Sequence, residues 1–327
     1  MAHTVYYDCG NTNTRLYLLK EDLSLVTQIK ARYGVKEVAM GADRSEWIRT
    51  LYGMYTEALR ETGLRDGDIG GIWASGMATS GFGFQDIPHV CVPVSFEAFS
   101  EQVVRVHAPF FKRDVFLIPG LKTQGSKAEE IHHVRGEETE ALGLAARGAV
   151  PNGQETAVIL PGSHTQAVFY RNGWFTDLLS TFTGELYAAL RFGTSLAGVM
   201  PEQDPADPDP EMLRRGMENV QRHGFNRAVY MTLTMGRFEL LPSEKRAAYL
   251  QGAVLGDFVQ ALQERVRDHH PDLGRLVIAG DPKIGRIYQI LLEGSSLLPP
   301  AELLPADAEN PWALEGMRML LQHRAAL

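Results

Sequence analysis

The chain has little cysteine: Cys9 and Cys91 are the only two in 327 residues. That is too few for a disulfide framework or a cysteine-based metal site. No apolar run approaches the roughly 20 residues that span a bilayer. The start, "HTVYYD", lacks the basic, apolar and small-residue succession of a signal sequence, so a cytoplasmic location is expected. Basic runs are absent too. With a net charge of −8 and a pI of about 5.7, nucleic acid and acidic membrane surfaces are poor partners. An acidic chain that binds an anionic substrate must gather its cations locally.

Several signatures are also missing. G-x-x-x-x-G-K-[ST] does not occur, and "SGFGF" at Ser80–Phe84 stops short of G-x-G-x-x-G. A P-loop or nicotinamide enzyme is therefore disfavoured. H-E-x-x-H is absent, and the adjacent His132 and His133 would point apart on one element, so no metal centre is expected there. No repeat of fixed period is visible, which argues against a solenoid.

What is present is the composition of a globular protein, 44% hydrophobic and 22% charged, at a length that favours two domains. "HTVYYD" and "RLYLLK" read as β-rich runs around a turn at Gly10–Asn13, a hairpin. Apolar spacing predicts helices over Ser45–Thr62, Glu137–Arg147, Glu211–Gln221, Ser243–Arg267 and Trp312–His323. Buried strands are expected in "DIGGIWASG", "DVFLIPGL", "TAVIL" and "RLVIAG". Pro201–Pro210, with four prolines and three aspartates, is a loop. Gly252 and Gly256 share one helix face and would admit a close neighbour, at some cost in helix propensity. Strands and helices alternate, so the class is α/β.

Four segments place a glycine turn after a strand: "YYDCGNTNTR", "WASGMATSGFG", "VILPGSHTQ" and "VIAGDP". Such turns offer backbone N–H groups to anions, although each alone is ordinary architecture. In the first, Asp8 could hold magnesium through water. Gly10, Asn11, Thr12 and Asn13 could donate to phosphate, and Arg15 adds charge. The plainer reading is a solvated hairpin turn in which Asp8 caps the backbone. In "HHVRGEETEALG", Glu137 or Glu138 at a helix start could take a proton from a substrate hydroxyl, or could simply complement the helix dipole. Ser163 and His164 do not form a hydrolase elbow, which needs G-x-S-x-G. The better reading is a turn whose N–H groups and Ser163 or Thr165 hydroxyls face phosphate.

Taken in order, these segments resemble the 2-dehydro-3-deoxygalactonokinases, sugar-acid kinases of the actin/hexokinase/Hsp70 ATPase superfamily. The resemblance is carried by "DCGNTNTR", "LIPGL" (Leu117–Leu121), "RGEETEALG" (Arg135–Gly143), "LPGSHTQAV" (Leu160–Val168), "TFTGELYAAL" (Thr181–Leu190) and "YLQGAVLG" (Tyr249–Gly256). The block from Leu117 to Leu190 is its specific part. It implies two ribonuclease-H-like domains around a central cleft, at residues 1–118 and 119–327, with the final helix packing back on the first. It also implies ATP and magnesium as cofactors. Asp8 would position magnesium, and Gly10, Asn11, Thr12, Asn13 and Arg15 would form the first phosphate loop. Gly162, Ser163, His164 and Thr165 would form the second, and Gly280 would lie near the adenosine. Glu137 is the first choice of base and Glu138 the second. Arg135, Lys122 and Glu185 are candidates for meeting the sugar acid, and Arg15 is a further candidate for its carboxylate. A homodimer is compatible with this reading. The competing reading is a non-catalytic sugar-acid or nucleotide sensor on the same fold.

Overall fold

A computed structural model describes residues 2–307 and 311–325. The chain opens with strands β1 (His3–Cys9), β2 (Thr14–Leu19) and β3 (Leu25–Ala31), then helices α1 (Lys36–Ala39) and α2 (Arg44–Thr62). Strand β4 (Ile69–Gly76) leads to the short strands β5 (Val90–Cys91) and β6 (Val94–Ser95) and helix α3 (Phe96–Glu101). Strands β7 (Val104–Ala108), β8 (Arg113–Leu117), β9 (Leu121–Lys122) and β10 (His133–Val134) precede helix α4 (Glu137–Ala146). Strands β11 (Thr156–Leu160), β12 (Thr165–Arg171) and β13 (Trp174–Thr181) follow. Helices α5 (Gly184–Gly193), α6 (Pro210–His223), α7 (Phe225–Arg237) and α8 (Ser243–His269) come next. The chain closes with β14 (Arg275–Gly280), α9 (Pro282–Leu292), β15 (Ala301–Pro305) and α10 (Trp312–Ala325).

Internal packing divides the chain into two compact units. Unit 1 is Met1–Val150, Gly173–Leu178 and Asp307–Leu327; unit 2 is Pro151–Asn172 and Leu179–Ala306. This division differs from one at residue 118. The reason is visible in α4, which packs directly on α10. A Cβ on Gly143 would overlap the Trp312 carbonyl, and one on Gly316 would overlap the Thr139 carbonyl. Two glycines thus let the helix backbones touch, and they hold α4 and α10 in unit 1.

In unit 1 the sheet order is β3–β2–β1–β4–β8–β7, with β1 antiparallel to β2 and parallel to β4. Strand alternation sorts the β1 side chains. Val5, Tyr7 and Cys9 join Trp47, Leu51 and Tyr55 of α2 in one core. Tyr6 and Asp8 take the other face, where Tyr6 stacks on Tyr17 at 5.8 Å and pairs with Ser75 Oγ at 2.7 Å. Helix α2 starts where the Asp43 side chain accepts from the Ser45 N–H and stops at Gly63, with φ of 71°. Each large side chain buried there, such as Leu51, contributes on the order of 2 kcal/mol. Cys9 is fully buried on the α2 side, so its thiol faces away from Asp8, and burial pushes its pKa up.

Unit 2 repeats the arrangement. Its sheet order is β13–β12–β11–β14–β15, with β13 entering the unit at Leu179. Strand β11 is antiparallel to β12 and parallel to β14, and β15 is parallel to β14. A hairpin followed by parallel strands, the pattern of β2–β1–β4–β8, thus recurs. Helix α6 lies against α8. A Cβ on Gly252 would overlap the Leu213 carbonyl, and one on Gly256 would come 2.6 Å from Met217 Cβ, which is the close approach those glycines predict. Among the described residues no helix is long and apolar enough to cross a membrane.

Candidate active site

In unit 1 the hairpin carries Asp8 and Arg15 directly opposite one another in the β1–β2 ladder. Arg15 Nη1 donates to Asp8 Oδ2 at 2.9 Å. Asp8 is nearly buried, and the pairing with it holds the Arg15 pKa above its usual value despite partial burial. The tip is built tightly. The Gly10 N–H donates to the Asn13 carbonyl (2.8 Å), and the Asn11 carbonyl accepts from the Lys36 N–H (3.0 Å). Thr12 and Asn13 remain exposed. The loop is therefore a rigid, solvent-facing turn with one ion pair at its base.

The N-terminus of α4 brings further carboxylates to this pair. Gly136 precedes the helix with φ of 116° and approaches Gly76 at the end of β4; a Cβ on Gly136 would sit 3.3 Å from the Gly76 Cα. Both predicted bases fold back over this junction. Glu137 Oε2 accepts from the Arg135 N–H at 3.0 Å, and Glu138 Oε2 accepts from the Gly136 N–H at 2.7 Å. Glu138 is fully buried and also accepts from the Thr139 hydroxyl at 3.1 Å. Burial raises the Glu137 pKa, opposed by its backbone N–H contacts and reinforced by Asp8. Burial and Glu137 lift Glu138 to about 7. Glu140 is a carboxylate that sequence reasoning missed. It follows Glu137 by three positions, a spacing that shares a helix face. Burial, then Asp8 and Glu137, lift it to about 8, while Arg15 opposes the rise. Asp8, Arg15, Glu137 and Glu140 thus form one electrostatic group.

Other predicted residues lie elsewhere. The Arg135 guanidinium is turned onto Thr79, Ile87 and His89. Lys122 sits on β9 opposite His133. In unit 2 the Pro161–Thr165 turn is braced from several sides. Glu185 N–H donates to the Ser163 carbonyl (2.8 Å), and Thr165 N–H donates to Thr183 Oγ1 (2.9 Å). The Thr165 hydroxyl bonds with Tyr288 of α9 at 2.7 Å and with Thr183 at 2.7 Å, so it is engaged inward. Gly184 is required because a Cβ there would overlap the Gly162 carbonyl. His164 packs on Phe182, with ring centroids 5.2 Å apart. Gly280 abuts the turn: its Cβ would lie 3.6 Å from Pro161 Cδ. Asp281 caps α9, accepting from the Lys283 N–H at 2.8 Å and the Ile284 N–H at 3.3 Å. No sequence signal pointed to Tyr288 or His89, since each acts through a partner far away in the chain.

A rigid hairpin with an aspartate at its base and helix-borne carboxylates beside it can accept a proton and place charge. Residues 8–306 match the 2-keto-3-deoxy-galactonokinase family. The chain belongs to that family. It is accordingly a sugar kinase on a mixed α/β, actin-like ATPase fold of two ribonuclease-H-like domains. In structure, the kinase is similar to a candidate 2-dehydro-3-deoxygalactonokinase from Sinorhizobium meliloti. That match has a TM-score of 0.77 and 18% identity, and covers 100% of both chains. It is also similar to the activator of 2-hydroxyisocaproyl-CoA dehydratase from Clostridium difficile, solved with ADPNP, at a TM-score of 0.50 and 16% identity over 99% of this chain and 96% of that one. Component A of (R)-2-hydroxyglutaryl-CoA dehydratase from Acidaminococcus fermentans matches with a TM-score of 0.50 and 14% identity, over 100% of this chain and 99% of that one. No curated protein matches the kinase in sequence closely enough to count as a relative. Among the described residues, no group of three or more His, Cys, Asp or Glu side chains is arranged to hold a metal by itself.

Proposed function

We propose that this kinase uses ATP and magnesium to phosphorylate the terminal hydroxyl of a 2-keto-3-deoxy sugar acid such as 2-dehydro-3-deoxygalactonate. The observation that carries the reading is the placement of Glu137: it starts α4, is held by the Arg135 N–H and lies beside the Asp8–Arg15 pair. Glu137 is the base that receives the acceptor hydroxyl proton, and its raised pKa brings it closer to the working range of a general base. Asp8 positions magnesium, and the exposed hairpin tip at Thr12 and Asn13 offers donors to phosphate. Magnesium, when bound, supplies neutralisation of the phosphate oxygens. One or two carboxylates from the chain, Asp8 first among them, suit that ion, which takes most of its ligands from phosphate and water. The braced Pro161–Thr165 turn is proposed as a second phosphate-binding element, and Gly280 as a contact for the adenosine. The ADPNP bound by the Clostridium difficile activator supports nucleotide use on this fold.

Glu137→Gln should fold normally and lose turnover by about 10²–10⁴-fold in an ADP-release assay. Near wild-type turnover would overturn the base assignment. A panel of keto-deoxy sugar acids, with gluconate and simple hexoses as controls, tests the substrate class, and a preference for plain hexoses would sink it. A second reading, a sensor, is favoured by Arg15 sitting on the Asp8 carboxylate. Calorimetry with ATP and magnesium separates the two, because a sensor would bind a ligand yet release no ADP with any sugar acid.

A further inference from the structure

Arg135 directly precedes the glutamates of α4, and its charge is already committed within unit 1. Nη1 donates to the Thr79 carbonyl and to Thr79 Oγ1, the latter at 2.5 Å. Nη2 donates to the Ile87 carbonyl at 3.0 Å and to His89 Nδ1 at 3.2 Å. Asp86 is 3.9 Å away, and the Arg135 side chain is only 10% exposed. Thr79 in turn donates to the Gly76 carbonyl at 3.0 Å, and Gly76 lies against Gly136. The guanidinium therefore ties the segment leaving β4 to the start of α4. Because the Arg135 N–H also donates to Glu137 Oε2, whatever fixes Arg135 fixes the direction of that carboxylate.

His89 completes the clamp. To accept from Arg135 at Nδ1 it must carry its proton on Nε2. Burial, Arg135 and His133 hold its pKa down at about 4, so the ring is neutral at ordinary pH. The Nε2 atom is buried without a hydrogen-bond partner. The ring edge lies against Gly120, where a Cβ would come 2.7 Å from His89 Cδ2.

We propose that Arg135 and His89 are positioning residues for the phosphoryl-transfer reaction, aiming Glu137 at the acceptor hydroxyl, and that the Arg135 charge does not meet the substrate carboxylate. This inference rests on the kinase reading. Misplacement of a reacting group by about 1 Å can remove about 100-fold in rate. Arg135→Lys, which keeps the charge but loses the fork, should therefore lower kcat by tenfold to about 100-fold. The KM for ATP should stay within about twofold, and preference for the acid over its uncharged methyl ester should be unchanged. His89→Asn, whose amide oxygen can still accept, should retain most of kcat, whereas His89→Leu should lose it. Thr79→Val, a smaller change, should show a weaker loss of the same kind. Collapse of the acid-over-ester preference in Arg135→Lys would show direct carboxylate binding and overturn the proposal. So would lower melting temperatures with kcat per folded enzyme unchanged, the mark of a merely structural clamp. If the wild-type protein releases no ADP with any sugar acid, the kinase reading fails and this inference falls with it. Wild-type activity with unaffected variants would refute this inference alone.

Discussion

Converting Glu140 to glutamine should make the protein more stable, by an amount that grows with pH. The folded environment lifts this carboxyl from 4.5 to about 8, through burial first and then the negative charges of Asp8 and Glu137, with Arg15 opposing. Between those two pH values the folded chain keeps a proton that the unfolded chain has released. The unfolded state binds fewer protons there, so stability falls as pH rises through the window and levels off above about 8. At 1.36 kcal/mol per pKa unit, the penalty at pH 7 is about 3 kcal/mol. Glu140 retains some solvent contact, which screens it, so about 1–3 kcal/mol is expected. Glutamine cannot ionise and carries no such penalty. Urea unfolding midpoints of wild type and Glu140→Gln, measured from pH 4.5 to 8.5, test this. The gap between them should widen steadily and then flatten. A gap independent of pH, or one that narrows, would refute the electrostatic grouping of Glu140 with Asp8 and Glu137.

Four further outcomes are expected. Gly252→Ala should destabilise the chain by about 1–3 kcal/mol in thermal unfolding, because its Cβ would overlap the Leu213 carbonyl, which outweighs the gain in helix propensity. Gly53→Ala in α2, where nothing lies near the new Cβ, should instead stabilise by about 1 kcal/mol. Tyr288→Phe removes the hydroxyl that bonds Thr165, at a cost of about 1 kcal/mol, and should raise the KM for ATP while leaving that for the sugar acid unchanged. Asp281→Ala removes the cap of α9 at a cost of about 1 kcal/mol in chemical denaturation. A tenfold gain in ATP affinity in that variant would show that Asp281 repels phosphate rather than merely capping.

Elements whose pattern lies in neighbouring residues were legible. The hairpin at Gly10–Asn13, helix α2 and the long helix α8 follow from alternation, periodicity and turn residues. Helices α7 and α9 were not read. What the sequence did not show in α5 is that Arg191 is buried, pairing with Asp204 of the proline-rich loop at 3.0 Å and donating to the Pro201 carbonyl. The shared strand order of the two units was hidden as well, since no residue period accompanies it and strand order depends on pairing between distant segments.

The same line divides the candidate site. The motif order by itself determined the family, the hairpin with Asp8 and Arg15, and the glutamates that open α4, because each is a local arrangement of residue types. Tertiary structure alone decided that Arg15 rests on Asp8, that Glu140 joins the carboxylates, and that Arg135 turns its charge onto Thr79, Ile87 and His89. Spacing along a chain says which residues share a face of one element. Which group a charge meets across space is set by the packing of separate elements, as when the Arg135 guanidinium turns onto Thr79, Ile87 and His89.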